Sequence, residues 1–121
     1  MKFILLVHHD EAVFETFSEE RTRSLLSDSI GLCHQLDRQG QYVHASPVQP
    51  AASARLVRVR DGKSIVTDGP FIETREQMAG YFLIEAENQD EAVAIAARVP
   101  GATIGTVEVR PVRDVTGLPG A

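Results

Sequence analysis

The first candidate strand places the strongest constraint on the fold. Residues 2–7 read Lys-Phe-Ile-Leu-Leu-Val, a run that is apolar at both odd and even positions. A strand that is apolar on both faces must be covered on both, which is typical of a central strand in a sheet. The run is too short to span a membrane or to form the core of a signal peptide. The sequence therefore predicts a central strand with one layer above it and another below.

A β-hairpin gives the clearest local signal. Two alternating runs, residues 55–60 and 63–67, flank Asp61-Gly62, and both turn residues tolerate the positive φ angles of a type I′ turn. A two-residue turn fixes the register, so that Val57 pairs with Val66. This register predicts a core-facing side that carries three valines: Val57, Val59 and Val66.

Helix caps and apolar spacing predict two helices. Ser18 is a good N-cap for a long helix that ends at Gly40, and Asn88 begins a second helix that ends at Pro100-Gly101. The long helix carries an apolar stripe at helical spacing. Its members are Leu25, Leu26, Ile30, Cys33 and Leu36. We expect this stripe to pack on the sheet.

The order of the elements predicts the fold class. Further strands are expected over residues 41–48, 80–86 and 103–110. Without the hairpin the order is βαββαβ, the ferredoxin-like α+β arrangement, with an antiparallel sheet and two helices on one face. The other face needs a cover, and a second copy of the sheet is the simplest one. We therefore expect a single domain over residues 1–113, a loose tail over residues 114–121, and a homodimer.

Composition argues against several functional classes. The 121 residues carry a formal net charge of −5 and no basic block, so no binding of nucleic acid is expected. The lone Cys33 excludes an internal disulfide and a multi-cysteine zinc site. The sequence contains no phosphate-binding glycine loop or dinucleotide fingerprint, so no cofactor is expected. A cytoplasmic protein that makes no membrane contact is the resulting expectation.

Several collinear segments resemble one protein family. The run Asp68-Gly69-Pro70-Phe71 is similar to the signature of the DGPF subgroup of the YCII-related family. The other matching segments are residues 1–7, 57–63, 73–74, 80–82 and 105–112. The resemblance extends from residue 1 to about residue 113, which is nearly the whole chain.

This resemblance implies a ferredoxin-like fold that dimerises face to face into an α–β barrel. The activity of the family is not established, although a His–Asp pair in a pocket has been proposed as an active site in its wider membership. The family's His lies eleven residues before the glycine that ends the first helix, and Ser29 occupies that position before Gly40 here. Some members are encoded beside extracytoplasmic-function sigma factors, which implies a signalling context.

Three histidines at strand positions are candidates for chemistry. His8 and His9 end the first strand, and imidazoles are suited to acid–base work near neutral pH. His44 lies on a neighbouring predicted strand and is the best-placed additional ligand-binding residue. Because side chains alternate along a strand, His8 and His9 cannot point to one metal ion, and no metal site is predicted.

The signature and the residues behind it supply the remaining candidates. Asp68 follows the hairpin, where its carboxylate either acts as a general base or only fixes the turn. Phe71 is either a core or interface anchor or a wall that stacks against a ligand. Glu73 and Arg75 add charges that either converge on a polar small molecule or remain solvated.

Two functions, and one bare scaffold, are compatible with the sequence. In the first, the protein binds a small polar molecule between the sheet and residues 68–79, with or without catalysis. The predicted lining is Asp68, Phe71, Glu73 and one of His8 or His9. In the second, a non-enzymatic accessory protein binds a regulator, such as an extracytoplasmic-function sigma factor, through the hairpin or residues 111–121. The third interpretation is a dimeric scaffold without a ligand.

Overall fold

Six strands and three α-helices make up the computed structural model, which describes residues 1–120. The strands are β1 (Lys2–His9), β2 (Tyr42–Pro47), β3 (Arg55–Arg60), β4 (Lys63–Asp68), β5 (Gln77–Glu85) and β6 (Gly105–Pro111). The helices are α1 (Glu11–Phe14), α2 (Glu19–Arg38) and α3 (Gln89–Ala96).

Four strands form the main sheet, in the order β2–β5–β1–β6 with antiparallel pairing throughout. β1 is central, as its apolar sequence predicts. This strand order is that of a ferredoxin-like α+β fold, which confirms the predicted fold class. β5 begins at Gln77, three residues earlier than expected, because Gln77 and Met78 still pair with the end of β1 after a local shift in register.

The core lies between the main sheet and one face of α2 and α3. Phe3, Leu5 and Ile84 on the sheet are fully buried, as is Leu36 on α2. Alternation along β1 sends its even-numbered residues to the opposite side of the sheet, which we call the open face. Ile4 and Leu6 are only partly buried there, because no helix or strand among residues 1–120 forms a layer over them.

The local signals at turns and caps are confirmed. Asp61 and Gly62 both have positive φ, at 52° and 74°, and Val57 pairs with Val66 as the two-residue turn requires. The Ser18 hydroxyl accepts the Arg21 N–H at 3.1 Å at the start of α2.

The expectation of a core-facing hairpin is wrong for the described chain. β3 and β4 pair only with each other and form a separate two-stranded sheet. Val57, Val59 and Val66 are 65%, 60% and 61% exposed. Alternation correctly places them on one face, but no element of this chain covers that face.

The predicted apolar stripe of α2 is buried along only part of the helix. Leu36 is fully buried, whereas Leu26 and Ile30 are each 50% exposed. Leu32, which is not a member of the predicted stripe, is buried, with an exposed fraction of 5%. Ile30 and Leu32 are only two residues apart, so the burial of α2 depends on the side of the helix as well as on the position along it.

After β6, residues 112–120 form neither helix nor strand. The last residue of the predicted tail, Ala121, lies outside the described residues. Among residues 1–120, none of the helices has the length and apolar character needed to cross a bilayer.

Candidate functional site

The two consecutive histidines of β1 lie on opposite faces of the sheet. The His8 Nε2 atom is 3.3 Å from the Glu108 Oε1 atom of β6, on the open face. The His9 ring lies on the helix side, where it stacks on Phe14 with ring centroids 4.5 Å apart. Strand alternation, which ruled out a shared metal, thus places one imidazole in each of two environments.

The environment of His9 favours the neutral imidazole. Burial lowers the pKa of His9, and the nearby carboxylates of Glu11 and Asp10 only partly oppose this effect. Asp10 itself is the N-cap of α1, where its Oδ1 atom accepts the Ala12 N–H at 3.0 Å. A neutral imidazole offers one hydrogen-bond donor and one acceptor.

The connection, residues 69–76, joins β4 to β5 and is held at both ends. The Gly69 N–H donates to the Ala54 carbonyl at 2.9 Å, and a Cβ atom on Gly69 would lie only 2.6 Å from the Ala54 Cβ. At the other end the Arg75 Nε atom is 3.4 Å from the Asp10 Oδ2 atom. These contacts hold the connection against the loop that precedes β3 and against the start of α1.

A connection-side pocket of about 700 Å³ lies between the open face, the connection and the loop of residues 48–54. His8 and Met78 contribute to it from the strands, and Phe71, Ile72 and Thr74 contribute from the connection. The loop is attached to the start of α1, because the Ala51 N–H donates to the Glu11 carboxylate at 2.8 Å. The pocket thus combines apolar walls with a few polar groups.

The structure brings only some of the predicted site residues together. Phe71 and His8 line the connection-side pocket, as the first hypothesis requires. Phe71 is 70% exposed, and the Arg58 guanidinium lies 5.9 Å from its ring centroid. His9 lies on the other side of the sheet, so of the two histidines it is His8 that reaches this pocket.

The remaining predicted residues lie outside the lining of that pocket. The side chain of Asp68 is 86% exposed and its Oδ1 atom is 3.4 Å from the Arg55 Nε atom across the hairpin, so the turn directs it away from the pocket. Glu73 is exposed on the connection, and Arg75 pairs with Asp10. The His44 Nδ1 atom is 2.6 Å from the Tyr81 hydroxyl. The roles assigned to these residues stay predictions.

Sequence reasoning missed two features of the site. Glu108 is the partner of His8, and only the strand order, which pairs β6 with β1, reveals it. The second feature is a helix-side cavity of about 220 Å³ between α2 and the sheet, lined by His9, Ser29 and Cys33 among mostly apolar groups. Ser29 occupies the position where the resemblance implies a His, and its hydroxyl donates to the Leu25 carbonyl at 2.8 Å.

The chemistry available differs between the two faces. On the open face, the His8 imidazole and the Glu108 carboxylate form a pair that can hold and transfer a proton. On the helix side, burial raises the pKa of the Cys33 thiol, which disfavours the reactive thiolate. Within residues 1–120 no three His, Cys, Asp or Glu side chains are grouped as a metal ion would require.

Comparison with known proteins gives one family. Residues 1–116 match the YCII-related domain, a range that includes both histidines of β1, the connection and β6. An uncharacterized protein of Rhizobium meliloti (strain 1021) is 32% identical over 113 residues, which is 92% of this chain and 91% of that protein. With the ferredoxin-like topology and a match across nearly its whole length, this chain belongs to the YCII-related family, whose function is not established.

Proposed function

We propose that this protein binds a small polar molecule in the connection-side pocket. The observation that carries the proposal is the convergence of the His8–Glu108 pair with exposed apolar side chains from the connection. Phe71, Ile72 and Met78 are 70%, 58% and 42% exposed around the same space. Apolar walls with a small number of oriented polar groups are the usual composition of a ligand site.

In this proposal each part of the pocket has a separate task. Phe71 stacks on the ligand, and the Arg58 guanidinium beside its ring adds a positive charge at the entrance. His8 contacts a polar group of the ligand, and Glu108 orients the imidazole. Asp68 and Arg55 stabilise the hairpin rather than touching the ligand. If the ligand reacts, His8 is the group that transfers the proton, and we assign the role of general acid or base to this residue.

We further propose that the protein acts in the cytoplasm as a homodimer and belongs to the DGPF subgroup. Ile4, Leu6 and Leu83 are only partly buried on the open face, and a second copy packed there would cover them. Asp68-Gly69-Pro70-Phe71 is the run that supports the subgroup. The resulting α–β barrel would also close the connection-side pocket against water.

A thermal-shift screen of small acids, amines, phosphates and divalent metals tests the binding proposal. A compound present at about a hundredfold its dissociation constant adds about 2.7 kcal/mol to the free energy of unfolding. For a domain of this size, that increment raises the melting temperature by several degrees. Compounds that shift the wild type are then titrated into His8→Asn and into the matched control His34→Asn, whose imidazole is exposed on α2.

The proposal expects the shift to disappear in His8→Asn and to remain in His34→Asn. Asp68→Asn is also expected to retain it, because that carboxylate lies on the hairpin. If His8→Asn is itself less stable than the wild type, Phe71→Leu serves as the second pocket variant. A screen without any saturable shift, or a shift that survives in both pocket variants, would refute small-molecule binding at this pocket.

A second function is favoured by the exposed valines of the hairpin. Val57, Val59 and Val66 lie on one face of a two-stranded sheet and are at least 60% exposed. An accessory protein that docks on an extracytoplasmic-function sigma factor through this face would cover them. Recovery of such a factor in a pull-down, and its loss in Val57→Thr/Val59→Thr, would favour this function, and recovery that is unaffected by the substitutions would exclude the hairpin.

A further inference from the structure

The helix-side cavity lies beside the strip of α2 that packs on the sheet. Leu32 and Leu36, in the carboxyl-terminal half, are 5% and 0% exposed. Leu26 and Ile30, which lie on another side of the helix, are each 50% exposed and line the cavity instead. The cavity is partly open to solvent, so its apolar lining is surface that a small apolar molecule can cover.

Small residues on the sheet side keep the cavity open. Ala45 and Ala79 line it, together with Gly80 and Gly101. A Cβ atom on Gly101 would lie 2.6 Å from the Val7 Cγ1 atom, so a larger residue cannot simply fill this space. Larger side chains, among them Phe82, Val99 and Ile104, complete this wall without filling the gap.

The hydroxyl groups around the cavity already donate within the chain. Ser29 donates to the Leu25 carbonyl at 2.8 Å, and Thr22 donates to the Ser18 carbonyl at 3.1 Å. Ser46 donates to the carbonyl of the next residue at 2.8 Å. These three hydroxyl groups therefore have no donor left for a ligand.

Among the polar groups around the cavity, His9 has hydrogen-bonding capacity that is left for a ligand. Its ring lies at the cavity and stacks on Phe14, and within residues 1–120 its nitrogens form no hydrogen bond. Burial lowers the pKa of His9, so at neutral pH the ring presents one donor and one acceptor rather than a positive charge. A neutral ligand suits this environment better than an anion does.

We propose that the helix-side cavity is a second binding site, which takes a small, mostly apolar molecule with one hydroxyl group that hydrogen-bonds to His9. The size of the cavity, about 220 Å³, supports this class of ligand. In another protein, an apolar cavity of about 150 Å³ binds benzene. A single aromatic ring with a hydroxyl group therefore fits the available space. This site is separated from the connection-side pocket by the sheet itself.

Phenol and toluene are suitable probes, because they have nearly the same size and differ in the hydroxyl group. Each is titrated into the full chain, and binding is followed by calorimetry and by amide chemical shifts along α2 and β1. The proposal expects saturable binding of both, with phenol bound about tenfold more tightly, which corresponds to one hydrogen bond. His9→Phe is expected to remove this preference while toluene still binds.

A matched pair of variants on α2 tests the location. Ser29→Leu places a larger apolar side chain into the cavity and should abolish binding of both probes. Ser27→Leu makes the same chemical change at an exposed position outside the lining and should leave both affinities unchanged. If Ser29→Leu fails to fold, Ala45→Val narrows the cavity from the sheet side and is expected to weaken binding.

Three results would overturn the proposal. The first is the absence of saturable binding of either probe to the wild type. The second is unchanged binding in a correctly folded Ser29→Leu or Ala45→Val variant. The third is loss of phenol binding in His8→Asn with retention in His9→Phe, which would place the probe in the connection-side pocket instead.

Discussion

Truncating two leucines of α2 should have very different effects on stability. Leu36 is fully buried against the sheet, whereas Leu26 is 50% exposed beside the helix-side cavity. Removing a fully buried leucine side chain costs about 2–5 kcal/mol, because apolar contacts are lost and a cavity forms. We expect Leu36→Ala to lower the free energy of unfolding by about 3 kcal/mol.

Leu26→Ala should cost much less. The side chain is half exposed already, so only about half of the roughly 2.4 kcal/mol for three methylene-sized groups is lost, or about 1 kcal/mol. Little additional cavity cost arises, since the side chain borders an existing void. Both variants replace the same residue type by alanine in one helix, so the change in helix propensity cancels in the comparison.

Urea unfolding followed by circular dichroism measures the difference. With an m-value of about 1.5 kcal/mol/M, the midpoint should fall by about 2 M for Leu36→Ala and by about 0.7 M for Leu26→Ala. Protein concentration is kept fixed, because dimerisation would make the midpoint depend on it. Equal losses in the two variants would refute the reasoning, since Leu26 would then be packed as fully as Leu36.

Three further predictions concern single side chains. Burial lowers the pKa of His9 below its ordinary 6.5, so between the two values the unfolded chain binds a proton that the folded chain does not. The free energy of unfolding should therefore fall as the pH decreases from 6.5 towards the lowered pKa of the folded state. In urea titrations, His9→Phe should reduce this fall. Gly69→Ala should destabilise the fold by about 1–3 kcal/mol in thermal melts, because its Cβ would lie 2.6 Å from that of Ala54, and Ala54→Gly should restore part of the loss. Burial raises the pKa of Cys33, so iodoacetamide should alkylate the folded chain on the order of tenfold more slowly than the chain in urea, as followed by mass spectrometry.

Local signals in the sequence predicted what local geometry determines. A two-residue turn leaves one register for a hairpin, so the pairing of Val57 with Val66 followed from Asp61-Gly62 alone. The Ser18 cap is equally local, because its hydroxyl bonds a backbone N–H three residues along the chain. The apolar run of β1 also predicted a central strand, because few other positions bury both faces.

Whether another layer covers one face of a strand or helix depends on residues that are distant in sequence. Periodicity therefore could not predict it. Alternation placed Val57 and Val66 on one side of the hairpin, but whether another layer packs there depends on the path of the whole chain. The stripe of α2 failed in the same way at Leu26 and Ile30. The gap beneath them is set by small residues such as Gly101, which lies about 70 positions away in sequence.

The candidate site shows the same division between local and distant information. Phe71 and one of His8 or His9 were expected to line a pocket, because each follows or ends a recognisable element, and the structure brings Phe71 and His8 to the same pocket. Asp68 was expected beside them, but its position opposite Arg55 at the end of the hairpin directs it outwards. Glu108 was missed, since the predicted fold places the last strand beside the first but does not fix the register that sets Glu108 near His8.

The end of β1 explains why one small sheet carries two candidate sites. In a four-stranded sheet with helices on one side, a central strand contributes alternately to the packed side and to the open side. Most of β1 is apolar on both sides, so it provides packing there and little chemistry. At the carboxyl end of β1, His8 and His9 send polar side chains to the two faces, where the connection borders one side and α2 borders the other. A ligand on the open face therefore meets an imidazole beside a carboxylate, whereas a ligand on the helix side meets a half-buried imidazole that burial keeps neutral, among mostly apolar groups. The two sites should for this reason select different chemistry, polar on one face and mostly apolar on the other, although their key residues are consecutive in the sequence.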